Sequence, residues 1–359
     1  MKKKNIIIIV IVALVVLAGA EYWYAKKGET IEDTDTIKIG AILPLTGDVA
    51  ALGESAQNGL LLAEKIANKD DTKYKLKFYF EDGVGNPAKS VSAAIKLLSM
   101  NKINILFSTV SRVDMALVDI QRKYNFLMFS HAAHPALSNI DSLFFRNSQT
   151  VQQESKFICE QFDSNSTIAL CYMDDDFGVA FSKELNKNIP LAKLKASFAF
   201  PVDETNFTTL AKKIIESNAN TVVICAGGKN VSSLVRKINE QNFEGKIITS
   251  LSYIVSGANE LTSDIKNLSM VDFKKANMAS DFRRAVSEFE KEYDCHIGTT
   301  ELMFFHSAMI VYNNYSSQNN QPNSLARKIK EKPVINICGS TLTITEDNDI
   351  LPELTIVKN

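Results

Sequence analysis

The chain has 359 residues, 45% of them hydrophobic and 23% charged, with Lys+Arg 40 against Asp+Glu 41 for a formal net charge of -1. At roughly 100–200 residues per domain, that length predicts about two domains, each able to bury its own core. Balanced charge excludes the general attraction of a nucleic-acid binder, ordinary apolar content excludes a disordered chain, and a single apolar run excludes a polytopic membrane protein.

Met1-Lys2-Lys3-Lys4-Asn5 precede an apolar run from Ile6 to Ala20 that closes on Ala18-Gly19-Ala20. A basic start, an apolar centre and small residues before Glu21 read as a cleavable signal peptide. The competing reading is an uncleaved N-terminal membrane tether, with Tyr22-Trp23-Tyr24 at the interface. No cysteine follows the run, so a lipoprotein anchor has no attachment residue. On either reading the rest of the chain is exported, to the periplasm or the outer face of the cytoplasmic membrane. Residues 21–36 read as a polar linker.

From Ile37 onward, short β-branched or aromatic runs alternate with amphipathic ones. The pattern predicts strands over 37–43, 75–80 and 103–107 and helices over 53–68, 87–100 and 112–124, then a loop over 130–139 and a short apolar run over 143–145. The alternation then restarts, with helices over 151–162, 181–188, 206–217 and 231–241 and strands over 167–172, 198–200 and 221–225. Two long helices over 276–293 and 299–315 follow, then a polar loop over 313–323 and strand-like runs over 340–345 and 354–357. Such alternation specifies α/β lobes with parallel sheets covered by helices, and two of them leave a cleft at the C-terminal ends of their strands.

Enzyme and metal signals are weak. Asp176-Phe177-Gly178 spells a kinase triplet without its partner motifs, and no nucleophile elbow, phosphate loop or dinucleotide fingerprint occurs, so neither an enzyme nor a cofactor is expected. Asp174-Asp175-Asp176 reads as a turn that caps the next helix. His131 and His134 lack further ligands at metal spacing, so no metal site is expected. Cys159, Cys171, Cys225, Cys295 and Cys338 are scattered and odd in number, which reads as buried free thiols, with one disulfide involving Cys159 and Cys171 as the alternative.

Several segments carry a more specific signal. The loop Pro44-Leu45-Thr46-Gly47-Asp48-Val49-Ala50-Ala51-Leu52-Gly53, the strand end Glu81-Asp82 to Pro87, the stretch Met173 to Gly178, and the helical patterns Phe289 to Asp294 and Phe305 to Ala308 stand in this order. Together they resemble type I periplasmic binding proteins of the branched-chain amino-acid-binding branch, which serve ABC transporters. The resemblance implies two Rossmann-like lobes joined by a three-stranded hinge that closes over a small ligand like a Venus flytrap, and an ABC transporter permease as partner. It predicts one lobe from residues 37–148 plus about 273–337 and the other from 149–272 plus about 338–359.

The turn Thr109-Val110-Ser111 ends a strand and opens a helix, so its backbone N–H groups and the helix dipole would attract an anion, with the Ser111 hydroxyl as a donor or an N-cap. The resemblance makes Ser111 a ligand contact and adds the backbone of Ala132, Ala133 and His134, with His131 where the family usually has proline. In the second lobe it implies Phe177, where the family commonly has tyrosine, and the loop with Gly228 and Lys229; Arg112 joins them near the cleft mouth. Amino-acid binders of the family hold the ligand ammonium with a second-lobe carboxylate, but Thr249 to Gly257 contains none. The expectation is therefore an anionic or neutral ligand, a carboxylate or amide, and not a standard zwitterion. An alternative hydrolytic centre would pair Ser111 with His131 or His134.

Overall fold

The computed structural model describes residues 36–359 apart from Asp48, Asp70, Asp71 and residues 275–277. The signal or tether, the linker, one residue of the Pro44 loop and the predicted start of the 276–293 helix lie outside the described residues. Among the described residues no helix is long and apolar enough to cross a membrane.

The first half begins with strand β1 (Thr36–Leu43), helix α1 (Ala50–Ala67), β2 (Lys75–Asp82), α2 (Pro87–Lys96), β3 (Ile105–Ser108), α3 (Ser111–Tyr124), β4 (Leu127–Ser130) and β5 (Phe144–Asn147). The second runs through α4 (Val151–Cys159), β6 (Ile168–Met173), α5 (Asp176–Asn188), β7 (Leu194–Phe200), α6 (Thr208–Glu216), β8 (Thr221–Cys225), α7 (Val231–Glu240), β9 (Lys246–Thr249), α8 (Leu251–Val255) and β10 (Leu268–Phe273). There follow α9 (Ser280–Tyr293), α10 (Thr299–Asn314), α11 (Pro322–Lys330), β11 (Val334–Ile337), β12 (Ser340–Ile344), β13 (Asp349–Pro352) and β14 (Leu354–Lys358).

Two sheets result, one in the order β11-β12-β13-β5-β4-β3-β1-β2 and one in the order β14-β10-β9-β8-β6-β7. The central strands β3, β4 and β8 are buried at every position, the pattern of parallel strands covered on both faces. The sheets are not wholly parallel. Strands β11 and β12 pair antiparallel beside β13, and β14 pairs antiparallel with β10. The β11–β12 and β12–β13 pairs are joined by short turns within one sheet, which impose the antiparallel sense, whereas β14 reaches the second sheet directly from β13.

The chain passes between the sheets three times: after β5, after β10, and at Glu353 between β13 and β14. The last passage falls later than the predicted switch at 338, because Asp349 and Ile350 pair with Arg146 and Asn147 in the first sheet. The polar stretch expected as loop over 313–323 gives way to α11 at Pro322, and β9, α8 and β10, absent from the sequence pattern, complete the second sheet.

Helix α10 is buried along nearly its whole length, from Thr299 to Val311 and again at Asn314. A helix apolar on every side belongs in the middle of a core. It packs against α1 so closely that a Cβ on Gly59 would lie 2.1 Å from the Glu301 carbonyl oxygen. Only glycine allows that approach. The main apolar cluster therefore extends from Ile39 and Phe129 in the first sheet, through Phe304 and Phe305, to Val223 and Ile248 in the second. Gly59→Val should separate the two backbones and destabilise the fold by about 2 kcal/mol, as overpacking does. The expected readout is a melting temperature several degrees lower by circular dichroism; an unchanged melt would show that α1 and α10 can part freely.

Candidate functional site

The loops singled out from the sequence emerge at the C-terminal ends of the strands. In the first lobe Asp82 organises the earliest of them. Its carboxylate accepts from Leu45 N at 2.9 Å, Thr46 Oγ1 at 2.5 Å and Val84 N at 2.9 Å, tying the Pro44 loop to the end of β2. Arg112 Nε donates to Gly85 O at 2.8 Å, so this cation fastens the start of α3 to that same corner.

The turn from β3 into α3 is strained. Val110 has φ 77° and ψ 107° and precedes the helix with no side-chain cap. A β-branched residue at positive φ is a genuine outlier, and such strain persists only where neighbours enforce it. Ser111 is thus the first helical residue and not the N-cap. Asp114, in the first turn of α3 and wholly buried, accepts from Ser108 Oγ and Ser130 Oγ, each at 2.5 Å. One carboxyl thereby clips together the ends of β3 and β4, from which the 109–111 turn and the 131–134 loop leave. Burial pushes this carboxyl up to about 7, against the pull of the two hydroxyls.

His131 turns into the core. Its Nδ1 lies 3.1 Å from Ser108 O and its Nε2 2.8 Å from Ser307 Oγ, and its ring stacks on Phe304 with centroids 3.7 Å apart. A carbonyl opposite Nδ1 assigns the proton to that nitrogen, so Nε2 accepts from Ser307, whose oxygen in turn accepts from Asn147 Nδ2 at 2.8 Å. Burial holds the ring down to about 3, which keeps it neutral. His134 Nδ1 accepts from Ala136 N at 3.2 Å. Both nitrogens of His131 and the Nδ1 of His134 are thus engaged by partners other than Ser111. Ala132 is buried in the core, so the 132–134 loop offers backbone where side chains are small. Arg146, itself 1% exposed, forks onto Asp349 with two 2.8 Å bonds and donates from Nη1 to His134 O at 2.8 Å. The ion pair thus fixes the 131–134 loop to β5 and β13.

In the second lobe Asp175 caps α5 by accepting from Gly178 N at 2.7 Å, as the turn-and-cap reading expects. Phe177 is half-buried and packs edge-on against Phe181, with centroids 5.6 Å apart. Gly228 has φ 109°, and Lys229 beside it is exposed. His134 from the first lobe and Asp174, Asp175, Asp176, Val179, Ala180 and Lys183 from the second line one cavity of about 380 Å³. Among the described residues no cluster suited to a metal ion occurs. All five cysteines are free thiols; Cys171 and Cys225 are buried, and burial raises both.

The stretch from Thr249, which lacks a carboxylate of its own, receives one from elsewhere. Glu154 of α4, wholly buried, accepts from Leu251 N at 2.5 Å and from Gln149 Nε2 at 3.3 Å. Neither Asp114 nor Glu154 stands out in the sequence, where each reads as an ordinary acidic residue in a helix's first turn.

Two α/β sheets between which the chain passes three times invite comparison with known folds. The family described as periplasmic binding protein matches residues 36–350. This chain belongs to that family. A Pseudomonas aeruginosa relative named as a leucine-, isoleucine-, valine-, threonine- and alanine-binding protein is 23% identical over 268 residues, covering 67% of this chain and 72% of the relative. The structure of the branched-chain amino-acid transporter substrate-binding protein LivJ from Streptococcus pneumoniae, in complex with isoleucine, superposes with a TM-score of 0.79 at 15% identity, over 90% of this chain and 96% of that one. A solute-binding protein of an ABC transporter from R. palustris, in complex with 4-hydroxybenzoate, gives 0.73 at 14% identity, over 90% and 93%. The type I, branched-chain resemblance carried by the sequence motifs agrees with these findings.

In this periplasmic binding protein the folded state keeps the Asp114 proton up to about pH 7, while an unfolded aspartate releases it near pH 4. A raised carboxyl contributes stability that is present at low pH and lost as pH rises through that window. Glu154, likewise pushed up to about 7 by burial, acts with the same sign. The advantage of the wild type over Asp114→Asn should therefore shrink between pH 4.5 and pH 7.5 in urea unfolding. An advantage that grows with pH would contradict the assignment.

Proposed function

We propose that this protein captures a small polar solute with a negatively charged end between its lobes, outside the cytoplasm, and presents the closed form to an ABC transporter permease. The observation that carries the reading is the family match joined to the cavity lined from both lobes, by His134 on one side and Asp174 to Asp176 on the other. The first lobe supplies donors for an anion: the N–H groups of Ser111 and Arg112 at the start of α3, the Ser111 hydroxyl and the backbone of Ala132 to His134. The second lobe contributes Phe177 as an apolar cover and the Gly228-Lys229 loop, and Arg112 and Lys229 add positive charge at the mouth.

Closure follows from where these contacts lie. A ligand that touches both lobes gains its full set of contacts only when they meet, so binding shifts the population towards the closed form. A permease that recognises surfaces of both lobes then distinguishes loaded from empty protein. The ligands named for the similar proteins, amino acids and an aromatic acid, share a carboxylate, which suits this donor set.

A thermal-shift panel of amino acids, short carboxylates, amides and aromatic acids tests the reading. A true ligand at about 100 times its Kd should add about 2.7 kcal/mol of stability. Ser111→Ala should weaken that ligand by about tenfold, the cost of one hydrogen bond to a charged group. A panel in which no compound shifts the melt would sink the proposal.

A further inference from the structure

Asp114 grips two strand ends at once. Its carboxyl oxygens accept from Ser108 Oγ and Ser130 Oγ, each at 2.5 Å, and these serines are the paired last residues of β3 and β4. From Ser108 the chain enters the strained Val110 turn and α3; from Ser130 it enters the loop that reaches His134 on the wall of the interlobe cavity. The two segments are also tied to each other, since Thr109 Oγ1 donates to His131 O and His131 N donates to Ser108 O, both at 3.0 Å. Asp114 is wholly buried, whereas Ser111, a turn before it, is half-buried. The carboxyl therefore acts on a solute only through the backbone that it holds.

No cation bonds to this carboxyl among the described residues. Helix α3 packs against α2, β4 and the 135–137 turn. On α2, Lys96 pairs with Glu81 at 2.7 Å and Lys89 is exposed. On α3 itself Arg112 is turned to Gly85 O, and Asp119, Arg122 and Lys123 lie more than a turn further along. Beside the 135–137 turn His131 is kept neutral by burial and His134 accepts from Ala136 N. Burial raises the Asp114 carboxyl to about 7 against the pull of its two serine hydroxyls. An anion held by the N–H groups of Ser111 and Arg112 would place a second negative charge about one helical turn away, roughly 5 Å along the axis. Like charges so close in a buried site favour the form in which one of them carries a proton.

We propose that Asp114 is the positioning residue of the first-lobe anion contacts, and that a solute anion binds there together with a proton that Asp114 takes up from water. The proposal rests on the solute-binding reading above. A protonated carboxyl keeps both serines, donating its O–H to one hydroxyl oxygen and accepting from the other hydroxyl, so the two loops stay in place while the charge disappears. Asparagine offers the same pairing of one donor and one acceptor. Asp114→Asn thus fixes the neutral form.

Calorimetric titration with isoleucine, 4-hydroxybenzoate and 3-phenylpropanoate tests this from about pH 6 to about pH 8, a range in which each carboxylate stays charged. For the acid that binds tightest, the wild-type affinity should fall by about fivefold across the range, as a carboxyl raised by about one further unit on binding imposes. Asp114→Asn should keep the affinity found at the acid end and lose most of the fall. Ser130→Ala removes a hydroxyl that favours the charged form, so it should move the midpoint of the fall to higher pH; a merely structural role would weaken binding without moving it. Glu154, which burial raises to a similar range in the other lobe, provides the control, and Glu154→Gln should keep the wild-type profile. A wild-type affinity that is flat for a bound acid, a fall kept in full by Asp114→Asn, or an unmoved midpoint in Ser130→Ala overturns the proposal and leaves solute binding standing. Failure of every acid to bind at any pH overturns both.

Discussion

Helix α10 is the element on which both halves depend. It presents a different partner on each side: Gly59 of α1 against its backbone at Glu301, the His131 ring against Phe304 and Ser307, Asn147 at the end of β5 against Met303 O and Ser307, and Asp272 of β10 against Thr299. A surface helix needs one apolar face. This one needs several, and it uses small or hydroxyl residues where a neighbouring backbone or polar side chain arrives. Because Asn147 and Asp272 stand at the first and second passages between sheets, the same helix that completes the core also sets the geometry of the hinge.

Around that helix the loops at the strand ends are held by buried polar and charged side chains. Asp114 clips β3 to β4, Glu154 reaches the end of β9, and Arg146 with Asp349 secures the His134 carbonyl. Parallel strands end in backbone groups that their own ladder cannot pair, and a buried carboxyl or guanidinium satisfies several of these at once. Such groups are costly to bury. Their placement at strand ends, with the strained Val110 beside them, indicates that loop position is maintained at some expense of stability.

Much of the architecture was legible in the order of the sequence. Val222 to Cys225 could only be a covered strand, and Pro87 could only open a helix. The Pro44 loop and the Asp82 strand end were readable as motifs resembling the family's, although the bonds that tie them together, from Leu45 N and Thr46 Oγ1 to Asp82, span more than thirty positions. What escaped was decided by distant partners. Strand β13 is four residues that join β5 two hundred positions earlier, and β9 is four residues whose hydrophobicity fits a helix as well as a strand. His131 was read as a cleft residue because its loop faces the cleft, yet its ring found Ser307 and Phe304 from a helix far along the chain. The contact of Glu154 with Leu251 N escaped for the same reason, since a search confined to one stretch cannot see a side chain supplied by another.

The uneven partition of the chain between the sheets has a consequence for synthesis. The five parallel strands of the second sheet are continuous from Ile168 to Phe273, so they can assemble soon after they leave the ribosome. The first sheet, begun at Thr36, still lacks β13 and its neighbours until residue 352 has emerged, and α10 until 314. Loop closure over some two hundred residues is slow, and an unfinished parallel edge at β5 is exposed in the meantime. Both sheets thus wait for the C-terminal tail, β13 closing onto β5 and then β14 onto β10, and the nascent protein passes through a stage in which each half keeps one open edge.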